Sequence, residues 1–152
     1  MAPSHNASDP LITPKALDGQ NQPLSPISSG AIKLLSIARI AAGASFLIAP
    51  LWSSALFQIT VPASISIVPR LYAIRELALG ELLLTAEDKT SPTGGRREIK
   101  RALWANIGCD AVDICSVAFG LASGTIGRLP AALLGGPAAV AIGLGTLGLK
   151  GL

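Results

Sequence analysis

The sequence predicts an all-α protein, a four-helix transmembrane bundle with a disordered N-terminal tail. Three observations predict it. Half of the 152 residues are hydrophobic and only 14% are charged, against about 25% in an ordinary soluble domain, and the mean hydropathy is +0.56. Four apolar runs follow the tail, each near the roughly 20 residues that cross a bilayer. The basic residues outside those runs fall mostly on one side of them. The same composition excludes a disordered chain. Two cysteines exclude a disulfide scaffold. A net charge of only +3, with no basic stripe, argues against nucleic-acid binding.

Residues 1–30 read as the tail. They are polar and rich in proline (Pro3, Pro10, Pro14, Pro23, Pro26). No apolar run follows a basic start, so no secretory signal is expected, and the lack of arginine argues against a mitochondrial transit peptide. His5 stands there without candidate metal partners. The sequon Asn6-Ala7-Ser8 is expected to stay unglycosylated if the tail is cytosolic.

Residues 31–152 read as the transmembrane domain. Its first span is 31–49, closed by Pro50, with Lys33 near its start and Arg39 in its middle. The second, 67–86, carries Pro69 and Arg70 at its mouth and Arg75, Glu76 and Glu81 inside. The third, 102–122, holds Asn106, Asp110 and Asp113. The fourth, 129–149, has no charge before Lys150. In it Gly135, Ala139 and Gly143 repeat at four-residue spacing, with Gly145 and Gly148 following, a pattern that lets membrane helices approach closely, and Pro137 is a candidate kink or gate. Between the first two spans, Leu51–Ser66 reads equally as an ordinary loop or as a short interfacial helix, with Trp52 and Phe57 as interface anchors.

Sidedness follows from charge. Residues 87–101 form a loop marked by Pro92, Gly94 and Gly95, and it carries Lys89, Arg96, Arg97, Lys100 and Arg101. With four spans this loop shares a side with both termini, which add Lys15, Lys33 and Lys150; the far side has only Arg70 and Arg128. Cytoplasmic loops carry the excess of Lys and Arg, so both termini are expected in the cytosol, in a multi-pass protein of the endoplasmic reticulum or a related endomembrane.

Five charges lie where none is expected. Arg39, Arg75, Glu76, Asp110 and Asp113 all fall within a few residues of their span's midpoint. At about 1.5 Å per residue they share one thin layer. Each unpaired charge at that depth costs roughly 2.5–3.5 kcal/mol, and five cost on the order of 15 kcal/mol. They must neutralise one another or face water. Residues three and four apart share a helix face. One stripe on the third helix is Asn106, Cys109, Asp110, Asp113, Val117 and Gly120, with Trp104, Ile107, Ile114 and Ala118 turned to lipid. On the second helix Tyr72, Arg75, Glu76, Leu79 and Gly80 cluster. On the first, Arg39 shares its side with Ser36, Ala42 and Gly43. Glu81 points elsewhere, about a turn nearer the cytosol. Cys109 and Cys115 lie on different faces and cannot pair with each other.

Two arginines against three carboxylates leave a formal charge of −1. A low-dielectric site suppresses such an excess by protonation. A neutral acid beside an ionised carboxylate is what general acid/base catalysis needs. Asp110 and Asp113 are the candidate acid and base, in either order, with Glu76 as a further carboxylate. Arg39 and Arg75 would be charge partners or oxyanion stabilisers, and Tyr72 and Asn106 substrate contacts. The location suits a lipophilic small molecule that partitions into the bilayer. Epoxide opening, cyclisation and double-bond isomerisation need proton transfer and no cofactor. No metal is expected, since carboxylates without histidine make a weak site. The bland alternative is that the charges glue helices together, which contributes only about 1 kcal/mol per contact. Two other classes remain open, a subunit of an oligomeric transporter and an accessory scaffold that holds pathway enzymes at the membrane through the basic loop.

The stretch Arg75-Glu76-Leu77-Ala78-Leu79-Gly80 has an arginine, an acid, three residues and a glycine, and Asp110 and Asp113 follow a helix later. Over roughly residues 32–149 this resembles a family of small four-helix membrane proteins of filamentous fungi whose function is unknown. Similar small membrane proteins in polyketide and terpenoid pathways include epoxide hydrolases and cyclases. The resemblance implies that Arg75, Glu76, Gly80, Asp110 and Asp113 matter, and it implies a fungal secondary-metabolite setting.

Overall fold

A computed structural model describes residues 24–87 and 95–152. Among the described residues every regular element is helical. There are five α-helices, one more than the four expected: α1 (Pro26–Ile48), α2 (Pro50–Leu56), α3 (Ile67–Thr85), α4 (Arg96–Ala122) and α5 (Arg128–Lys150), with a 3-10 turn at Ala63–Ile65 before α3. Residues 1–23, most of the expected tail, lie outside the described residues, as do Lys89 and Pro92 of the basic loop.

Local chemistry sets the helix ends. Ser25 caps α1 by accepting from the Ser28 N–H at 3.2 Å, and Pro26 occupies the first turn, where its missing N–H is not needed. Helix α1 therefore starts within the segment expected to be tail, because an apolar run locates a span but not the cap before it. It ends at Ala49, whose φ of −130° and ψ of 65° are not helical; a residue before proline avoids the helical region. Pro50 then opens α2, which resolves the two readings of 51–66 in favour of a helix over its first part. Trp52 is 64% exposed on it. Phe57 packs on Phe46, with ring centroids 5.6 Å apart. Helix α4 begins at Arg96, six residues before the expected span, because arginine, lysine and glutamate are good helix formers even where they cannot be membrane-embedded. It ends in a glycine-capped turn, with Gly124 at φ 73° and the Thr125 N–H donating to the Gly120 carbonyl at 2.9 Å, a conformation that favours glycine.

Helix α1 lies between α3 and α5, and α4 lies between α5 and α3, so α1 and α4 face each other across the bundle. The α1–α3 contact is the most extensive, α4–α5 follows, and the α3–α4 seam is the loosest of the four walls. Glycines explain the tight walls. A Cβ on Gly43 would meet the Ala73 carbonyl oxygen at 2.8 Å and the Leu77 nitrogen at 2.9 Å, and one on Gly80 would meet the Ser36 carbonyl oxygen at 3.0 Å. On α5 the close approach is made by Gly145, against Ile107 at 2.9 Å, and by Gly148, against Ile32 and Leu103 at 3.1 Å. This corrects the expected stripe: Gly143 meets nothing within 4 Å, and Gly135 only the ordinary contact of Val117 at 3.8 Å. The buried line runs instead through Ala131, Ala138, Gly145 and Gly148. It corrects the lipid face of α4 as well, since Ile107 and Ile114 are half-buried while Trp104 and Ala118 are exposed.

Three layers stack along the bundle. An apolar core of Ile32, Leu35, Leu83, Ala86, Ile99, Ala102 and Leu103 fills one end. An aromatic group, Phe46 between Phe57 and Tyr72, sits toward the other. The charged residues lie between them. Three helices, α1, α4 and α5, are long and apolar enough to cross a membrane. Helix α3 is shorter, at 19 residues, and carries Arg70, Arg75, Glu76 and Glu81.

A Gly43→Ala substitution should destabilise the protein by about 1–3 kcal/mol, because the added methyl meets backbone that cannot swing aside. Gly136→Ala, on a face with nothing within 4 Å, should be neutral or slightly stabilising. Thermal unfolding of the detergent-solubilised protein measures both.

Candidate functional site

Arg39, Arg75, Glu76, Asp110 and Asp113 form one continuous ion chain. Each helix places its members by simple spacing. Arg39 lies one turn beyond the buried Ser36 on the inner face of α1. Arg75 and Glu76 are adjacent on α3, so one guanidinium and one carboxylate project at nearly the same height. Asp110 and Asp113 are three apart on α4, on neighbouring faces.

Arg39 Nη1 donates to Glu76 Oε2 at 2.7 Å, and Arg39 Nη2 donates to both oxygens of Asp110 at 2.7 and 2.6 Å. Arg75 Nη1 and Nη2 donate to Asp113 Oδ1 and Oδ2 at 2.8 and 2.6 Å, and Nη2 also donates to Glu76 Oε1 at 2.9 Å. The order is therefore Asp110, Arg39, Glu76, Arg75, Asp113. Glu76 is the bridge, with one oxygen on each arginine. All six carboxylate oxygens accept from a guanidinium, the strong two-pronged geometry that arginine forms with carboxylates. The Arg39–Asp110 arm spans the diagonal of the bundle. The Arg75–Asp113 arm closes the loose α3–α4 seam.

The two arms differ in exposure. The side chains of Arg39, Glu76 and Asp110 are each 5% exposed, whereas those of Arg75 and Asp113 are each 33% exposed. Tyr72 stands beside the open arm. The Arg75 guanidinium lies 4.9 Å from the centre of its ring, a cation–π contact. The ring also meets Phe46 edge-on at a centroid distance of 5.0 Å. The open arm thus has an aromatic wall on one side.

The structure brings Arg39, Arg75, Glu76, Asp110 and Asp113 together and puts Tyr72 against Arg75. It keeps Asp110 and Asp113 on different arginines, so the two aspartates do not form a direct pair. Asn106 stays outside the chain: it is fully buried, and its Nδ2 donates to the Ala102 carbonyl at 2.9 Å. Glu81 is exposed, and Cys109 is half-buried on the polar stripe. Among the described residues three buried side-chain polar atoms have no partner: Arg39 Nε, Arg75 Nε and Asn106 Oδ1. Counting charges by depth can find the five residues, but not these orphaned atoms, which depend on how each side chain turns. Among the described residues no three His, Cys, Asp or Glu side chains converge as metal ligands. The clustered carboxylates are held by arginine instead. Comparison with protein-family models, with curated proteins and with solved structures finds no match.

Charge arithmetic ranks the variants. Arg39→Met removes the partner of both Asp110 and Glu76 and takes the chain from a formal −1 to −2. Asp110→Asn and Asp113→Asn take it to zero. Arg39→Met should be the most damaging, at about 3–5 kcal/mol, as expected when a buried pair loses one partner. Asp113→Asn, on the open arm, should cost less, about 1.5–3 kcal/mol. Melting temperatures in one detergent establish the order.

Proposed function

We propose that the chain is a four-span membrane protein whose α3–α4 seam is a cofactor-free acid/base site for a lipophilic small molecule. Helix α3 is its fourth span. Its two midplane charges, Arg75 and Glu76, are admitted because α1 and α4 neutralise them. Both termini lie in the cytosol, by the excess of lysine and arginine on that side. The endoplasmic reticulum or a related endomembrane is the proposed location, with other enzymes of the same pathway as neighbours.

One observation carries this reading: the Arg75–Asp113 arm is 33% exposed at the height of an otherwise sealed ion chain. A molecule dissolved in the bilayer reaches that arm through the loosest wall without crossing water. The sharpest form of the chemistry is epoxide opening. Asp113, aimed by the two-pronged grip of Arg75, takes a proton from the attacking water or hydroxyl as the new carbon–oxygen bond forms. The epoxide C–O bond breaks, and its oxygen takes a proton from the carboxyl that holds the one extra proton of the chain. Water as nucleophile gives hydrolysis; an internal hydroxyl gives cyclisation. Double-bond isomerisation needs the same proton exchange without the nucleophile. Glu76, Arg39 and Asp110 hold the arm in place and take up the change in charge, and the Tyr72 ring packs on the substrate. The resemblance noted above points to a polyketide or terpenoid intermediate.

A second reading has its own observation. All six carboxylate oxygens are already engaged, as in a lock that holds four helices together. A scaffold or a transporter subunit would need no more than that from the ion chain.

The test is to express the chain with its pathway neighbours and profile lipophilic metabolites by mass spectrometry for Asp113→Asn, Asp110→Asn and Tyr72→Phe, at blot-matched protein levels. An accumulated precursor in Asp113→Asn supports the enzyme, and the mass difference between precursor and normal product tells hydrolysis, which adds water, from isomerisation, which adds nothing. Unchanged metabolites at normal protein level for both aspartate variants would sink the enzyme reading and leave the lock.

A further inference from the structure

Beneath the ion chain, at the end of the bundle that carries Lys33 and Glu87, lies a cavity of about 30 Å³ between α1, α3 and α4. That is room for about one or two ordered waters. Its lining changes with depth. Lys33 and Glu87 are exposed, Ser29 is half-buried, and Ser36 is fully buried. Leu83 and Ile99 form apolar walls.

The helices that line the cavity also hold the sealed arm. On α1, Ser29, Lys33 and Ser36 climb one face toward Arg39. Ser36 and Arg39 are three residues apart, about 4.5 Å along the axis. On α4 the climb runs from Ile99 through Leu103 and Asn106 to Asp110. The Ser36 hydroxyl donates to the Ile32 carbonyl at 2.9 Å, which leaves its oxygen free to accept. Asn106 Oδ1, in a residue with 0% exposure, has no donor, and Arg39 Nε, in a residue with 4% exposure, has no acceptor. Buried polar atoms left unpaired cost about 1–3 kcal/mol each, and ordered water is the usual remedy. One cavity reaches Ser36; Asn106 lies one turn before Asp110 on α4, as Ser36 lies one turn before Arg39 on α1, and the unpaired atoms of Asn106 and Arg39 mark the way on.

We propose that this cavity is a water port that leads past Ser36 and Asn106 to the Arg39 end of the ion chain. Its ligand is water. Water enters between Lys33 and Glu87, hydrogen-bonds to the Ser36 oxygen and Asn106 Oδ1, and accepts from Arg39 Nε. The ion chain then exchanges protons with the aqueous side at one end and faces the bilayer at the other. Under the enzyme reading this path also resupplies protons. The port itself rests only on the cavity and the unpaired atoms, and it stands if the chain proves to be a lock.

Reactive cysteines test it. In a Cys109→Ala, Cys115→Ala background, single cysteines replace Ser36, Asn106 and, as a control at the same height on the outer face, Ile37, which is 61% exposed. The probe is Ag⁺, a small water-soluble ion that blocks thiols, applied to the full chain in liposomes with later maleimide labelling of whatever stays free. Ser36→Cys and Asn106→Cys should be blocked at least tenfold faster than Ile37→Cys, and adding Ser29→Trp at the mouth should slow both at least tenfold. Leu83→Cys in the cavity wall and Leu103→Cys, one turn short of Asn106, serve as second reporters if either the serine or the asparagine variant fails to accumulate. Blocking at Ser36 without blocking at Asn106 makes the cavity a dead end and overturns the proposal. So do rates at both positions no faster than at Ile37, or rates indifferent to Ser29→Trp. Metabolite profiles play no part in these readouts, so failure of the port and failure of the enzyme are told apart.

Discussion

The rest of the structure depends on the Arg39 guanidinium. Inside a bilayer the hydrophobic effect gives helices no reason to associate, and packing and polar contacts must do it. Two helix pairs are drawn together by close packing: α1 with α3 through Gly43 and Gly80, and α4 with α5 through Gly145. Nothing comparable joins one pair to the other across the α3–α4 seam. Arg39 makes that connection. From α1 it holds Glu76 on its own neighbour α3 and Asp110 on the diagonal helix α4. Glu76 in turn gives Arg75 a second anchor, and Arg75 holds Asp113. Without Arg39 the two pairs would meet through α5 packing on α1, the apolar core at one end and the single Arg75–Asp113 arm.

The layering explains why the polar layer survives. The apolar core below it and the aromatic group above it keep the central carboxylates and Arg39 nearly sealed, and a low dielectric strengthens each pair as it raises the cost of any atom left out. The same enclosure explains the asymmetry of the chain. Tight glycine contacts close the wall beside Arg39. The wall beside Asp113 has larger side chains and looser packing, and the ion pair there stays a third exposed. The Arg39 end is a tightly packed joint, and the Asp113 end is the more exposed part of the ion chain.

Much of this was legible in the sequence. Five charges within a few residues of three span midpoints had to converge, and the helical stripes named the inward faces of α1, α3 and α4 correctly at Ser36, Arg39, Gly43, Glu76, Gly80, Asn106 and Asp110. Other features were hidden for physical reasons. Hydropathy marks where lipid lies, not where hydrogen bonding stops, so α1 and α4 begin earlier than their apolar runs. Small residues occupy more than one face of α5, so spacing alone did not separate Gly135 and Gly143 from Gly145 and Gly148, which make the close contacts. Asp110 and Asp113 share a stripe in sequence. Yet three residues turn the helix by about 300°, which leaves the carboxylates some 60° apart, and that is enough to give each its own arginine. The looseness of the α3–α4 seam is a property of two surfaces together and is written in neither helix alone.

The odd carboxylate is the feature that a purely adhesive role explains least. Two arginines and two carboxylates would already tie α1, α3 and α4 into a neutral unit. A third carboxylate adds a negative charge that a low-dielectric layer tolerates poorly. Burial disfavours that uncompensated charge. Glu76 touches both arginines, so the two arms are coupled through one residue. A neutral lock of two ion pairs would not need the third acid, and the proposed acid/base role gives it a use.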